Sequence, residues 1–162
     1  MIAIKNILVA TDFSQPSGVA MAYGRDLARN HHARLHVLHA VDDAGLRSSM
    51  DGGLLSDLQG QLEDSARRDL DALIRDEDRT AHDAVGVITR GVNPADTITA
   101  YARENSIDLI VTGTHGRGGI QHLLMGSVAE RVVRTAPCPV LTVRAHERDF
   151  IVPDAITLEM SV

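Results

Sequence analysis

The sequence predicts an α/β domain with a doubly wound, parallel, five-stranded sheet and helices on both faces. Five short aliphatic runs alternate with helical patterns along the chain, an order typical of a parallel sheet with crossover helices. Apolar residues in the runs are nearly continuous, as expected for strands buried on both faces. The 162 residues are enough for one such domain with its own core.

The first half of the chain supplies two strands and two helices. Residues 4–11 form the first predicted strand, and Ser14 is the predicted N-cap of a helix with Pro16 in its first turn. Residues 33–41 form the second strand, and the polar segment 42–53 is a predicted loop. A long amphipathic helix follows, with an apolar stripe formed by Leu55, Leu58, Leu62, Ala66, Leu70 and Leu73.

The second half continues the alternation. Asn93 at an N-cap and Pro94 at the first helical position begin the third predicted helix, and Pro137 and Pro139 follow the fourth. Right-handed crossovers would place a ligand cleft at the carboxyl ends of the strands, where the strand order reverses. The third to fifth strands are predicted at residues 83–91, 106–113 and 140–144, and the fourth helix at residues 126–136.

The charge and the hydrophobicity of the chain limit the kinds of binding partner that it can have. The chain has 16 basic and 22 acidic residues and a net charge of -6, which argues against duplex nucleic acid or an anionic membrane as the main partner. No apolar stretch approaches the roughly 20 residues of a membrane span. No signal peptide is recognised, and Cys138 is the only cysteine. We therefore expect a cytoplasmic protein with an aliphatic core.

Five glycines lie between the fourth strand and the fourth helix, from Gly113 to Gly126. The chain has no GxxxxGK[ST] motif, and its first strand is not followed by GxGxxG. Gly113, Gly116 and Gly126-Ser127 instead follow the pattern G-x2-G-x9-G-S. Amide groups at the glycines and the positive end of the following helix can cradle a polyphosphate, with Arg117 as a cation inside the loop.

A purely structural alternative also explains part of this pattern. Ser127 and Glu130 form the sequence S-x-x-E, which is a capping box at a helix start. Glycines in loops often serve only turns. Spacing alone leaves both interpretations open.

Residues 113–144, together with residues 6–14, resemble the universal stress protein family, and the resemblance spans about residues 1–144. It implies a Rossmann-like sheet in strand order 3-2-1-4-5 and a homodimer. Members of that family divide into those that bind ATP and those that do not, and the G-x2-G-x9-G-[ST] pattern marks the binders. Because the pattern is intact here, the resemblance implies an ATP-binding protein with a regulatory role in stress response.

The resemblance also implies roles for single residues. Asp12 is expected to accept hydrogen bonds from the ribose hydroxyls, which suits an acceptor-only carboxylate. The backbone of residues 40 and 41 should meet the adenine, and the glycine-rich loop should border the ribose and phosphates, which hold any Mg2+. The resulting candidate nucleotide-binding residues are Ala10, Thr11, Asp12, Ala40, Val41, Gly113, His115, Gly116, Arg117, Gly126, Ser127 and Val128.

Other polar groups do not predict a catalytic or metal site. His36 and His39 lie three apart on a strand, so their side chains point to opposite faces. The carboxylates from Glu63 to Asp78 are expected to form a solvated helix face. We predict no protein-built metal site and no dedicated enzyme, with slow ATP hydrolysis or self-phosphorylation at Ser127 or Thr114 left open.

Two other functions remain as alternatives. An adenylating ATP pyrophosphatase of the adenine-nucleotide α-hydrolase group has a loop like SGGxDS after the first strand, and residues 9–16, VATDFSQP, do not match it. A nucleotide-free dimerisation module would use the glycine-rich loop only as a helix cap.

Two predictions concern the assembly. The fifth strand should lie at a sheet edge, so residues 140–144 of two copies are expected to pair antiparallel about a twofold axis. Residues 146–162 extend beyond the nucleotide-binding domain, residues 1–145. Polar and apolar residues alternate from Ile156 to Val162, which predicts an added strand at the dimer interface.

Overall fold

The computed structural model describes residues 2–42, 52–114 and 125–144, except for the side chains of residues 42 and 52–58. Its five strands are all parallel and lie in the order β3-β2-β1-β4-β5. The predicted fold class and strand order are therefore confirmed. The strands are β1 (Asn6–Ala10), β2 (Arg34–Asp42), β3 (Val85–Gly91), β4 (Leu109–Gly113) and β5 (Val140–Val143).

Helices cover both faces of the sheet. Three of them pack on one face, and their contacts include β1, β2 and β3; the other two pack together on the opposite face. The first three are α1 (Gln15–His31), α2 (Gly52–Leu73) and α3 (Asp76–His82), and the last two are α4 (Pro94–Glu104) and α5 (Ser127–Thr135).

Strand β1 contributes to two hydrophobic cores because its side chains alternate between the faces of the sheet. Ile7 and Val9 belong to the core beneath α1, whereas Leu8 and Ala10 belong to the core beneath α4 and α5. The first three of these side chains are fully buried, and burial of such a residue contributes about 1.5–3 kcal/mol. This double burial explains why the strand is a continuous aliphatic run.

Local sequence signals account for several element boundaries. The Asn93 side chain accepts hydrogen bonds from the backbone N–H groups of Ala95 and Asp96, so the predicted N-cap of α4 is confirmed. Ser14 is the N-cap residue of α1 as predicted, although its hydroxyl does not cap the helix. Strand β5 pairs with β4 at the sheet edge, also as predicted.

The long second helix differs from its prediction in two respects. It ends at Leu73 and is followed by the separate short helix α3, and the Ile74 side chain between the two helices is buried in the core. Leu62 was placed on the apolar stripe, but 45% of its surface is exposed. Ala66 and Leu70, farther along the helix, do lie in the core.

The predicted solvated row of carboxylates is wrong at Asp78. Its side chain is 1% exposed and forms a bidentate ion pair with Arg25 of α1, at 2.6 and 2.9 Å. The backbone N–H of Arg75 also donates to this carboxylate. Burial raises the pKa of Asp78, but the hydrogen bonds from Arg25 and Arg75 outweigh burial and hold the pKa below its usual value. Asp78 therefore fastens α3 to α1.

Candidate functional site

The strand order reverses between β1 and β4, which are neighbours in the sheet although four helices and two strands separate them along the chain. Ala10, the last residue of β1, pairs with Thr112 of β4. The chain leaves β1 toward α1 on one face and leads from β4 to α5 on the other. This edge is where open parallel sheets bind ligands, because the two departing segments leave a crevice between them.

Strand β2 extends this edge. Leu38 is the partner of Ala10, and β2 continues for four more residues to Asp42. Val41 therefore lies about 10 Å beyond the end of β1, at about 3.3 Å per residue. Ala40 and Val41 are half-buried and lie on the part of β2 that extends past the end of β1.

The turn after β1, residues 11–14, is held by hydrogen bonds within the turn and to β2 and α1. The N–H of Thr11 donates to the carbonyl of Leu38 at 2.9 Å, and the N–H of Phe13 donates to Thr11 Oγ1 at 3.0 Å. The hydroxyl of Ser17 lies 3.2 Å from the Thr11 hydroxyl, and both side chains are buried. The turn is thus joined to β2 and to the first turn of α1.

Asp12 lies in this turn and is partly exposed. Its Oδ1 accepts the backbone N–H of Ser14 at 3.1 Å and the Ser14 hydroxyl. These bonds orient the carboxylate at the carboxyl end of β1 and also make Asp12 a turn-forming residue. The two roles are compatible, since a carboxylate accepts several hydrogen bonds.

Gly113 ends β4 and lies against α1. A Cβ atom on it would lie 2.9–3.1 Å from backbone atoms of Pro16, closer than a real side chain tolerates. Packing between β4 and the start of α1 therefore requires glycine at this position. The first glycine of the motif has a structural reason of its own.

Two backbone hydrogen bonds join Thr114, the residue after β4, to the end of β5 and to the start of α5. The N–H of Thr114 donates to the carbonyl of Val143 at 2.8 Å, and the Thr114 carbonyl accepts the N–H of Gly126 at 2.7 Å. The glycine-rich loop is thereby closed at its base. His115, Gly116 and Arg117, which the sequence assigned to the nucleotide, lie outside the described residues.

The capping-box interpretation of Ser127 is wrong. The N-cap residue of α5 is Gly126, with φ -75 and ψ 155, and as a glycine it has no side chain with which to cap the helix. The carbonyl of Gly126 accepts the N–H of Glu130, which makes Ser127 the first helical residue and leaves its side chain exposed. The backbone N–H groups of Ser127 and Val128 precede the first helical hydrogen bond, and such groups favour anions.

Helix α5 is also attached to its neighbour α4. Arg131 forms a bidentate ion pair with Asp96 of α4, with both N–O distances at 2.8 Å. Both side chains are about half exposed, so this pair contributes little to overall stability. Buried contacts of Ala129 and Val132 supply most of the attachment.

Sequence reasoning missed two residues at this edge. Phe13 has φ 62, a left-handed conformation that is rare for an aromatic residue. Its ring lies against the imidazole of His39, with centroids 4.5 Å apart, and His39 Nδ1 is 2.8 Å from the Thr11 carbonyl oxygen. Neither feature has a local sequence signal, because both depend on the pairing of β1 with β2.

The two histidines of β2, His36 and His39, lie on opposite faces of the strand, as predicted, and have different surroundings. His36 is buried, and its Nδ1 is 2.8 Å from the Tyr101 hydroxyl of α4, whereas His39 contacts Phe13. Burial, together with the charge of Arg34, lowers the pKa of His36. Within the described residues, no three or more His, Cys, Asp or Glu side chains lie close enough to hold a metal ion.

A cleft of about 530 Å³ opens between α1 and α2 near the same edge. Hydroxyl groups line the side formed by the turn after β1, and α2 forms the other side. The residues that line it are Thr11, Phe13, Ser14, Ser17, Gly18, Asp69, Ala72 and Leu73. Across the described part of the chain, no helix has the length and apolar character needed to span a membrane.

Comparison with known proteins gives consistent matches over this fold. The model of the universal stress protein family matches residues 3–144. The universal stress protein MJ0531 of Methanocaldococcus jannaschii is 31% identical over 148 residues, which cover 90% of this chain and 85% of that protein.

Solved structures agree with this family match. The structure of MJ0577, also from Methanocaldococcus jannaschii, has a TM-score of 0.81 and 23% identity, covering 91% of this chain and all of the other. That likeness concerns the fold. A universal stress protein solved in complex with cAMP has a TM-score of 0.64 and 26% identity, covering 88% of this chain and 98% of the other.

Proposed function

The chain belongs to the universal stress protein family, and we propose that it binds ATP at the edge formed by the carboxyl ends of β1, β2 and β4. Its role is regulatory, as a homodimer in the cytoplasm that responds to adenine nucleotide during stress. The observation that carries the proposal is the closure of the glycine-rich loop by the Thr114–Gly126 hydrogen bond. This closure puts the start of α5, whose N-cap is Gly126, at the end of β4, where a phosphate chain would lie.

Two features support the phosphate end of the site. Because the N-cap residue of α5 is a glycine, which has no capping side chain, an anion can satisfy the first N–H groups of the helix and gain from its positive end. Ser127 presents an exposed hydroxyl there. Arg117 is proposed as the cation of the loop, and Mg2+, held by the phosphates, would neutralise the remaining charge.

The position proposed for the nucleoside part of ATP is based on the ends of β1 and β2. Asp12 lies at the end of β1, oriented by Ser14, and we assign it to the ribose hydroxyls. Ala40 and Val41 on the extended end of β2 would meet the adenine edge through backbone groups. A related protein of the same family has been solved with cAMP, which supports an adenine nucleotide as the ligand class.

Self-phosphorylation is a second candidate function, and the structure favours one acceptor for it. Thr114 is only 3% exposed and its backbone is used on both sides, whereas the Ser127 side chain is exposed at the phosphate end. The Ser127 oxygen would attack the γ-phosphorus of ATP, ADP would leave, and the hydroxyl proton would pass to water. A Ser127→Ala variant that still incorporates phosphate from ATP would exclude this acceptor.

The proposed dimer uses the edge strand β5. Its half-buried Val140 and Leu141 and its backbone edge are available for antiparallel pairing with a second copy. Residues 146–162, which we propose to add a strand across that interface, lie outside the described residues.

Native mass spectrometry of the purified protein tests the proposal directly. A retained mass of ATP, ADP or AMP is the expected result, and titration calorimetry of the nucleotide-free protein with ATP and Mg2+ should give saturable binding. If no adenine nucleotide is retained and none binds in the titration, the chain is a nucleotide-free dimerisation module.

A further inference from the structure

The turn after β1 contains a backbone conformation that its own sequence does not favour. Phe13, directly after Asp12, has φ 62. A non-glycine residue in that region costs about 1–3 kcal/mol and persists only where the surroundings hold it. The contacts of Phe13 therefore help to hold the backbone beside this carboxylate, which Ser14 orients.

His39 supplies contacts on both sides of Asp12. Its Nδ1 is 2.8 Å from the carbonyl oxygen of Thr11, and its ring lies 4.5 Å from that of Phe13 at an angle of 35°. Because a carbonyl only accepts hydrogen bonds, Nδ1 carries the hydrogen and donates. One side chain of β2 thus contacts the residue before Asp12 and the residue after it.

We infer that His39 is a positioning residue for the nucleotide site, holding Asp12 in the place where it reads the ribose hydroxyls. The inference rests on the proposed function, because it concerns how ATP is recognised. His39 is not proposed to touch the ribose itself. It acts through Thr11 and Phe13, which lie on either side of Asp12.

The physical reason is the strain of the turn. Without the His39 contacts, Phe13 loses the packing of its ring against the imidazole and Thr11 loses a hydrogen bond, so the backbone can relax toward negative φ. That rotation reorients the peptide groups next to Asp12, and hydrogen bonds weaken steeply when their geometry changes. The proposed phosphate contacts come from the β4 side, so the loss should be confined to the ribose.

Ribose discrimination provides a readout that a general structural defect would not change. Wild-type protein should bind ATP about tenfold or more tightly than the 2′,3′-dideoxy analogue, because hydrogen bonds to a carboxylate are lost. In His39→Leu, this ratio should fall to about threefold or less with the affinity for the dideoxy analogue nearly unchanged. A variant that is merely less well folded would weaken both nucleotides alike.

Two further variants separate the hydrogen bond from bulk packing. Asn places its amide N–H near the position of the histidine Nδ1–H and should restore most of the discrimination. Gln extends the amide by one more bond and should not. His31→Leu, an exposed site at the end of α1, serves as the control and should bind both nucleotides as wild type does.

The experiment is titration calorimetry of each variant with ATP and with 2′,3′-dideoxy-ATP, after thermal unfolding has shown that the variant is folded. Wild-type discrimination retained in His39→Leu overturns this inference and leaves the proposed function standing. Wild-type protein that binds neither nucleotide overturns both. If His39→Leu does not fold, equal discrimination by the Asn and Gln variants overturns the positioning role.

Discussion

Replacing Asp78 by asparagine tests whether one buried ion pair fastens α3 to the rest of the fold. The substitution keeps the shape of the side chain but removes its charge. Arg25 then loses the bidentate partner that it contacts at 2.6 and 2.9 Å. Its remaining hydrogen bond in this region goes to the carbonyl of Leu73, at 3.3 Å.

The expected cost follows from burial. Removing one partner of a buried pair costs about 3–5 kcal/mol, because the other charge stays buried without compensation. The Asp78 side chain is 1% exposed and that of Arg25 is 13% exposed. Since water reaches part of the guanidinium, we expect a loss near the lower end, about 3 kcal/mol. With a urea slope of about 1–3 kcal/mol per M, the midpoint should fall by at least about 1 M.

The assay is urea unfolding at fixed protein concentration, with Asp71→Asn as the control. Asp71 pairs with Arg79 at 3.0 Å, but its side chain is 65% exposed, so its loss should change the stability by less than about 1 kcal/mol. Equal midpoints for Asp78→Asn and wild type would refute the reasoning.

The pH dependence of the same pair gives a second check. The pKa of Asp78 is lowered in the folded protein, so the folded state disfavours protonation of this carboxyl. Its contribution is present above the unfolded value of about 3.9 and is lost as pH falls below that value through the folded pKa. The difference between wild type and Asp78→Asn should therefore shrink below about pH 4.

Four further predictions concern the nucleotide, the pH response and the assembly. Gly126→Val should abolish ATP binding by filling the cradle, yet leave the protein folded, since φ -75 suits any residue. Gly60→Val is the control, because a Cβ there meets open space. An unchanged affinity for ATP in titration calorimetry of Gly126→Val would refute the site. Asp12→Ala should weaken ATP binding by about 1–3 kcal/mol, and it should lose discrimination against the 2′,3′-dideoxy analogue; discrimination equal to wild type would exclude Asp12 as the ribose acceptor. Burial lowers the pKa of His36, so the stability of the wild-type protein should fall as the pH drops below about 6.5. In His36→Gln, the urea midpoint should depend less on pH in this range. An unchanged dependence on pH would contradict the role of His36. Deleting residues 146–162 should weaken the dimer without changing the affinity for ATP, so that size-exclusion chromatography shows more monomer as the protein concentration falls. A truncated protein that stays as dimeric as the full chain would refute the role of the tail.

The sequence by itself determined the fold class and most element positions. Buried parallel strands are continuous aliphatic runs, and caps such as Asn93 lie within three residues of the groups they bind. Both signals are local, so they can be recognised without knowing the fold. The strand order, and with it the edge position of β5, followed from the family resemblance because a family shares its topology.

Only the tertiary structure decided the contacts between residues far apart in the chain, both in the candidate site and outside it. Asp78 has the composition of a surface carboxylate, but its partner Arg25 is 53 residues away in the chain. Gly113 is required by Pro16, and Phe13 is held in its conformation beside His39, in contacts that exist only after β1 has paired with β2 and β4. Ser127 matches a capping box in sequence, yet the bond between Thr114 and Gly126 closes the loop with Gly126 as the N-cap. Local patterns record which conformations a segment favours, whereas the position of a functional group depends on neighbours that the folded sheet brings together.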